Sequence, residues 1–278
     1  YKRGELLMNQ RKSLKELNLL DKFLFDEAMD DPENVKTMLD IILSQNTNLK
    51  HPPQTEKEQR TSTDNRQIRL DVYAIDEDDV IYEVEAQKEN THNLPKRSRL
   101  YQGIIDSKLL PPGVVDFNLL NEVLIVLIMP FDLFGYGLYR YTFQMKCEEV
   151  PELKLDDGAT RIFLNTRGKH PELVSPELIE LLKYMEHSTD EISEACESKR
   201  IQEMHRRVCQ IKASEKAEVK YMQTWEEKIL IKQEGERIGL ERINRLNQKL
   251  IEQGRFDDLT KATSDSSYQE KLLKEFKI

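Results

Sequence analysis

Leu20, Phe23, Leu24 and Ala28 recur at helical spacing. After a break at Asp30, Asp31 and Pro32 the same period resumes through Val35, Met38, Leu39 and Ile42. Apolar residues three and four apart make one face of a helix, so two helices are expected to open the chain. Residues 51–65, mostly polar and carrying Pro52 and Pro53, read as a loop. From Ile68 to Ile75 the period drops to two, with Ile68, Leu70, Val72 and Ala74 alternating with Arg69, Asp71 and Tyr73. That alternation marks a half-buried strand. Val80, Tyr82, Val84 and Ala86 repeat it against Ile81, Glu83, Glu85 and Gln87, with the acidic Glu77, Asp78 and Asp79 between the two runs. The pair reads as a hairpin. Pro95 then opens a helix through Leu100, Ile104, Ile105 and Leu109 that Pro111 and Pro112 close. Val123 to Met129 is apolar throughout, as in a strand covered on both faces in the parallel part of a sheet. Helix, hairpin, helix and buried strand in this order predict an α/β fold around a mixed sheet.

The texture changes near residue 190. Asp190 to Gln253 contains no proline and is dense in Glu, Lys, Arg and Gln, which favours helix. Within it Leu240, Ile243, Leu246 and Leu250 form an apolar stripe, Gly254 suits a helix C-cap, and Leu259, Tyr268, Leu272, Leu273 and Phe276 continue the pattern. The sequence therefore divides into a mixed α/β domain over 1–190, a charged helical connector over 191–235 and a small α-helical C-terminal unit over 236–278. The stripe needs a partner. Either the last helices fold back on it, or a second copy of the chain pairs with it as a homo-oligomer.

Composition sharpens this picture in three ways. The chain of 278 residues carries 42 Lys and Arg against 51 Asp and Glu, a net charge of −9, which argues against wholesale attraction to nucleic acid or an anionic membrane while leaving room for a local basic face. Hydrophobic residues at 38% and charged residues at 33% imply a long solvated part attached to an ordinary core. The longest apolar run, Val123 to Met129, is far short of the ~20 residues that a membrane-spanning helix needs, so no membrane partner is expected. Residues 1–20 lack the apolar block of a secretory leader, and Cys147, Cys196 and Cys209 are too few and too scattered for a disulfide framework. A cytoplasmic location is the expectation. The five histidines show no HExxH and no Cys-His ligand spacing, and no Gly-rich phosphate loop is present. Tyr136, Tyr139, Tyr141 and Phe143 suit cross-strand packing more than base stacking, and Trp225 suits helix packing.

The hairpin register carries the candidate chemistry. Matching the two apolar faces requires opposed residue numbers with an even sum. A three-residue loop then sets Ile75 opposite Ile81, Tyr73 opposite Glu83 and Asp71 opposite Glu85. Directly opposed carboxylates, with Cβ atoms about 4.5–5.5 Å apart, destabilise a sheet unless something relieves their repulsion. Mg²⁺ does so, since it takes one or two carboxylates and keeps waters for substrate phosphates. The alternative is a solvated acidic face. A register shifted by two would oppose Asp71 with Glu83, which makes Glu83 the reserve ligand.

Asp71, a hairpin, then Glu85-Ala86-Gln87 resembles the active-site motif of the PD-(D/E)XK nuclease superfamily, with Gln87 where Lys is usual. Glu-x-Gln is the variant of the Rpn family of recombination-promoting nucleases and transposase-like proteins. Asp21 to Met29 (DKFLFDEAM), Leu94 to Gln102 (LPKRSRLYQ), Phe131 to Gly135 (FDLFG) and Asp157 to Gly168 (DGATRIFLNTRG) also resemble that family, so the likeness spans about residues 14–190. The resemblance implies a restriction-endonuclease-like core, DNA as partner, and Mg²⁺-dependent (or Mn²⁺-dependent) phosphodiester hydrolysis in DNA recombination. It implies Asp71 and Glu85 as metal ligands, the Ala86 carbonyl as a third, and Gln87 positioning the attacking water. Asp21 takes the place of an acid on the family's first helix, with Asp26 and Glu27 as alternatives and a helix N-cap as the plain reading of Asp21. Arg97 and Tyr101, one helical turn apart, with Lys96 and Arg99, are the DNA-contact candidates. Five basic residues against two acidic ones over 88–108 support a local basic face.

Overall fold

The computed structural model describes residues 12–59 and 68–278. Helix α1 (Lys22–Met29) and helix α2 (Pro32–Leu43) open the described chain. Pro32 occupies the first turn of α2, and the Asp31 carboxylate caps it by accepting from the Glu33 N–H at 3.0 Å. Both helices bury the faces expected of them, through Phe23, Leu24 and Ala28 and through Val35, Met38, Leu39 and Ile42.

A six-stranded mixed sheet follows: β1 (Gln54–Gln59), β2 (Ile68–Ile75), β3 (Ile81–Ala86), β4 (Val123–Met129), β5 (Arg140–Phe143) and β6 (Ala159–Asn165), in the spatial order β1-β2-β3-β4-β6-β5. Strands β3, β4 and β6 run parallel, and the β1–β2, β2–β3 and β5–β6 pairs are antiparallel. Helix α3 (Leu94–Asp106) makes the crossover between parallel β3 and β4. It lays Leu94, Tyr101, Ile104 and Ile105 on a face built from Tyr73, Ile81, Val123, Ile125, Leu127 and Phe163. Val72, Ala74, Val84, Val126 and Ile128 are buried as well, so the centre of the sheet is covered on both sides.

The hairpin has the register that alternation predicts, with Tyr73 opposite Glu83 and Ile75 opposite Ile81. Asp76 fixes its turn. One carboxylate oxygen accepts the N–H groups of Asp78 and Val80 at 3.0 and 2.9 Å, and the other accepts the Tyr82 hydroxyl at 2.6 Å. The loop expected over 51–65, whose part from residue 60 on lies outside the described residues, needs correction at 54–59, which form the edge strand β1. Its side chains show no apolar alternation because an edge strand is held by its backbone ladder to β2. Lys57 lies over the Tyr73 ring at 3.4 Å.

Of the aromatic residues after β4, Tyr141 and Phe143 pack as expected, whereas the expectation for Tyr136 is corrected, since it stands exposed at the turn. Phe134 meets Tyr141, Phe143 and Phe163 with ring centroids 4.8, 4.9 and 5.2 Å away. Asp132 anchors their turn by accepting from the N–H groups of Phe134, Gly135 and Gly137 and from the Tyr141 hydroxyl. Gly168 is forced by packing, since a Cβ there would come within 2.4 Å of the Tyr139 ring.

Helices α4 (Pro176–Glu186), α5 (Asp190–Ala195) and α6 (Lys199–Lys212) complete the first compact unit, which runs to Ala217. The division expected at 190 therefore moves. Residues 191–212 are no solvated connector, because Ile201, Met204 and Val208 form a narrow, fully buried stripe, and α6 packs on α1, α2 and α4. The second unit, Glu218–Ile278, contains most of the 38-residue helix α7 (Glu215–Glu252), with α8 (Phe256–Ser264) and α9 (Ser266–Glu275). Leu246, Leu250, Ala262, Leu272 and Leu273 make its core, so the stripe on α7 finds its partner within the chain, while Leu240 at the stripe's start stays exposed.

Removing α6 should unfold the first unit. Three buried aliphatic side chains at about 1.5–3 kcal/mol each amount to much of the ~5–15 kcal/mol that stabilises a domain. A fragment ending at Ala217 should melt cooperatively by circular dichroism, and one ending at Thr189 should not. Equal melting of the two would contradict this assignment.

Candidate functional site

The face of the sheet beneath α3 is apolar at its centre, with Arg161 on β6 at one side and a group of acids at one corner. Alternation brings Asp71 on β2 and Glu83 and Glu85 on β3 to that face, and the register that opposes Val72 with Val84 sets Asp71 against Glu85. All three are buried. Two cations reach in from neighbouring helices. Lys22, the first residue of α1, donates to Asp71 Oδ1 at 2.5 Å and pairs with Asp26 one turn along at 3.1 Å. Arg97 of α3 donates to Glu85 Oε1 at 2.5 Å and also to Gln87 Oε1.

Glu83 has no such partner. It is fully buried between Tyr73 on one neighbouring strand and Ile125 on the other, and neither carboxyl oxygen has a hydrogen bond. Glu85 Oε2 and Arg97 Nε are also buried without partners. Such atoms cost free energy unless a proton, water or ion satisfies them. Protonation responds accordingly. Burial, then the charges of Glu85 and Asp71, pushes Glu83 well above the usual carboxylate range. Burial raises Glu85 to about 7 against the opposing pull of Arg97, with Asp71 adding to the rise. Burial likewise raises Asp26 to about 7 against Lys22, and it raises Asp71. Burial alone would lower Lys22, but Asp71 and Asp26 outweigh it and the ammonium is held charged.

The other expected residues fall in distinct places. Asp21 does occupy the N-cap position of α1 but makes no cap bond. Its carboxylate accepts from the Asn18 N–H at 3.1 Å and pairs with Lys88 just beyond β3. Of the acids on the first helix, Asp26 is the one that shares Lys22 with Asp71. Ala86 lies buried on β3 with its N–H toward Asp71. The Gln87 amide is engaged at both ends, accepting from Arg97 and donating to the Glu89 carbonyl at 2.6 Å. Tyr101 is buried in the core beneath α3, with the Arg97 guanidinium 5.9 Å from its ring. Lys96 and Arg99 are exposed. A cleft of about 400 Å³ opens beside the acids, lined by Ile68, Arg69, Asn93, Lys96, Arg97, Leu100 and Tyr101. Lys22 and Arg69 are the two members that sequence reasoning missed. Lys22 stands four residues before Asp26, and Arg69 shares the period-two face of Asp71, so each left a faint signal.

Among the described residues, one group of three His, Cys, Asp or Glu ligand atoms lies within 4.8 Å of one another, and it stands elsewhere, at Asp190, His205 and Cys209. The expected lack of a Cys-His spacing is thereby corrected, since His205 and Cys209 lie one helical turn apart. No protein-family model, curated protein or solved structure matches the chain. No helix of the described residues is long and apolar enough to cross a membrane.

The ionisation of Glu85 gives a pH test. A carboxyl whose folded pKa is raised binds its proton more tightly when folded, so its burial penalty is absent below the unfolded value of 4.5 and complete above about 7. The stability of Glu85→Gln relative to the parent should therefore rise from pH 5 to pH 8, by on the order of 2–3 kcal/mol. Urea midpoints at the two pH values check this. A constant difference would show that Glu85 is not held in its protonated form.

Proposed function

We propose that the protein is a metal-dependent DNA endonuclease of the PD-(D/E)XK type, and that its mixed sheet is a restriction-endonuclease-like core. The observation that carries the reading is the charge balance at the buried corner. Asp26, Asp71, Glu83 and Glu85 supply four carboxyls, and Lys22 and Arg97 only two cations, so full ionisation leaves a deficit that one divalent cation balances. The donors are all oxygen, which suits Mg²⁺ or Mn²⁺. Asp71 and Glu85 would hold it, each with one oxygen on a cation and Glu85 Oε2 left over, while Glu83 stands behind them as a further acid. The donor set fits.

When bound, the ion would supply a Lewis acid and a water of lowered pKa. The chain's own residues do the rest. Lys96, exposed in the cleft, would seat a phosphodiester, joined by Arg69 once it leaves Glu56 and Glu58 of β1, with which it pairs at 3.2 Å. Arg97 fixes Glu85 and Gln87 in one orientation, and Lys22 does the same for Asp71 and Asp26. Gln87, where the resemblance expects Lys, meets a guanidinium, and an amide oxygen accepts from Arg97 where an ammonium would repel it. Lys22 provides an ammonium at the same acids from another element.

A second reading is favoured by those same contacts. With Asp71 and Glu85 each bonded to a cation and the Gln87 amide engaged at both ends, the site equally suits a nuclease fold that binds DNA or a protein partner and cleaves weakly or not at all.

Supercoiled plasmid separates the two. The first reading expects nicking with Mg²⁺ or Mn²⁺ that EDTA stops and that Asp71→Ala and Glu85→Ala each abolish with the fold retained. Lys96→Ala should weaken DNA binding across sequences and reduce its salt slope by about 1. DNA binding without nicking supports the second reading, and undiminished nicking by either acid variant would rule out the assigned site.

A further inference from the structure

Helix α6 carries His205 and Cys209 on one face, one turn apart, and Asp190 at the start of α5 meets them there. Cys209 Sγ lies 3.3 Å from His205 Nε2, which lies 2.8 Å from Asp190 Oδ1, and the sulfur is 3.8 Å from that same oxygen. The other ring nitrogen, Nδ1, is 3.0 Å from the Tyr184 hydroxyl on α4, whose ring stands edge-on to the imidazole. Tyr184 and His205 are buried, Cys209 is half-buried and Asp190 is exposed. Lys212, the nearby cation, is anchored on the Ser188 carbonyl at 2.8 Å.

Two chemistries use cysteine, histidine and aspartate together, and the geometry separates them. A nucleophilic triad needs the thiol on one ring nitrogen and the carboxylate on the other. Here Asp190 takes Nε2 at 2.8 Å and Tyr184 holds Nδ1, while Cys209 Sγ stands beside the ring, 3.3 Å from Nε2 and 3.9 Å from Nδ1, with neither nitrogen left for it. That arrangement suits a metal, for which a thiolate, an imidazole nitrogen and a carboxylate oxygen must point at one spot while the second nitrogen is fixed by an outer hydrogen bond. Sulfur and nitrogen ligands at the usual zinc bond lengths of about 2.3 and 2.0 Å stand about 3.5 Å apart in a tetrahedron; the 3.3 Å found is of that size, and a turn of the Cys209 side chain away from Nδ1 would bring Sγ to the Nε2 side. The exposed Asp190 carboxylate can open its shorter contact by a side-chain rotation.

We propose that Asp190 Oδ1, His205 Nε2 and Cys209 Sγ bind one borderline transition-metal ion of the Zn²⁺ class, with a fourth position open to water on the Asp190 side. The mixed sulfur, nitrogen and oxygen donors select Zn²⁺ or Co²⁺ over Mg²⁺. On binding, the Cys209 thiol releases its proton to solvent and the imidazole proton resides on Nδ1, which donates to the Tyr184 hydroxyl oxygen. One thiolate and one carboxylate then neutralise the ion. The site would tie α5 to α6 and hold both against α4, independently of the reaction proposed for the acids on the sheet.

Cobalt titration of the full chain tests this, with reductant present and excess Mg²⁺ to occupy oxygen-only sites. A thiolate-to-cobalt charge-transfer band should saturate at one equivalent per chain and disappear on adding Zn²⁺, and Zn²⁺ should raise Tm. Cys209→Ser should remove the band with the circular dichroism unchanged, and Cys147→Ser should keep it. Asp190→Asn should weaken binding, and Tyr184→Phe should weaken it about 10- to 100-fold by removing the outer hydrogen bond. No band at one equivalent, a band that survives Cys209→Ser, or unchanged affinity in Asp190→Asn would each overturn the proposal.

Discussion

Like charges placed on one buried face of a sheet are the constraint on which the rest of this molecule depends. Asp71 and Glu85 oppose each other across β2 and β3, and Glu83 lies one step deeper with no hydrogen bond to either oxygen. Isolated, three ionised carboxylates there would cost several kcal/mol each. Their burial is sustained by Lys22 from α1 and Arg97 from α3, and by protonation of whichever acid is left over.

The fold makes this arrangement hard to avoid. Strand β3 lies inside the sheet, antiparallel to β2 and parallel to β4, so every residue along it is buried. A polar residue on its α3 face either finds a partner on α3, as Glu85 does in Arg97, or, like Glu83, stays unpartnered with its carboxyl pushed well above the usual range. Arg97 reaches both Glu85 and Gln87 because α3 starts eight residues after β3 ends and packs on the face of the sheet to which both side chains belong. The same crossover seats Tyr101, Ile104 and Ile105 as the apolar floor beside the acids. Packing and charge are therefore set by one β-α-β unit, and the cleft lined by Arg69, Lys96 and Arg97 opens at its edge.

Much of this was legible in the sequence where a period is strict. Alternation over Ile68 to Ile75 and Ile81 to Ala86, with the even-sum rule, yields the observed hairpin register, and the uninterrupted apolar run at Val123 to Met129 yields the central parallel strand. What escaped was held by partners distant in sequence. Strand β1 shows no apolar alternation because, beside its backbone ladder, it meets β2 through charged side chains, Glu56 and Glu58 with Arg69 and Lys57 over Tyr73. Helix α6 read as a solvated connector because three buried residues are hidden among charged neighbours. Lys22 is unremarkable until the fold sets it against Asp71, 49 positions away. Asp21 and Asp26 both lie on the first helical stretch, and only its rotation against the sheet decides that Asp26 faces the acids. The pairing of Gln87 with Arg97 gives the departure from the usual Lys a physical partner that no spacing rule supplies.

The central claim is that this corner holds a divalent cation on Asp71 and Glu85. A crystal structure grown with Mn²⁺, with the metal located by its anomalous scattering, tests it most directly. The account predicts one ordered ion within bonding distance of a carboxylate oxygen of Asp71 and of Glu85 Oε2, its remaining positions filled by water. Crystals in which both carboxylates stay bonded to Lys22 and Arg97 alone, with no anomalous peak between them at saturating Mn²⁺, would contradict it.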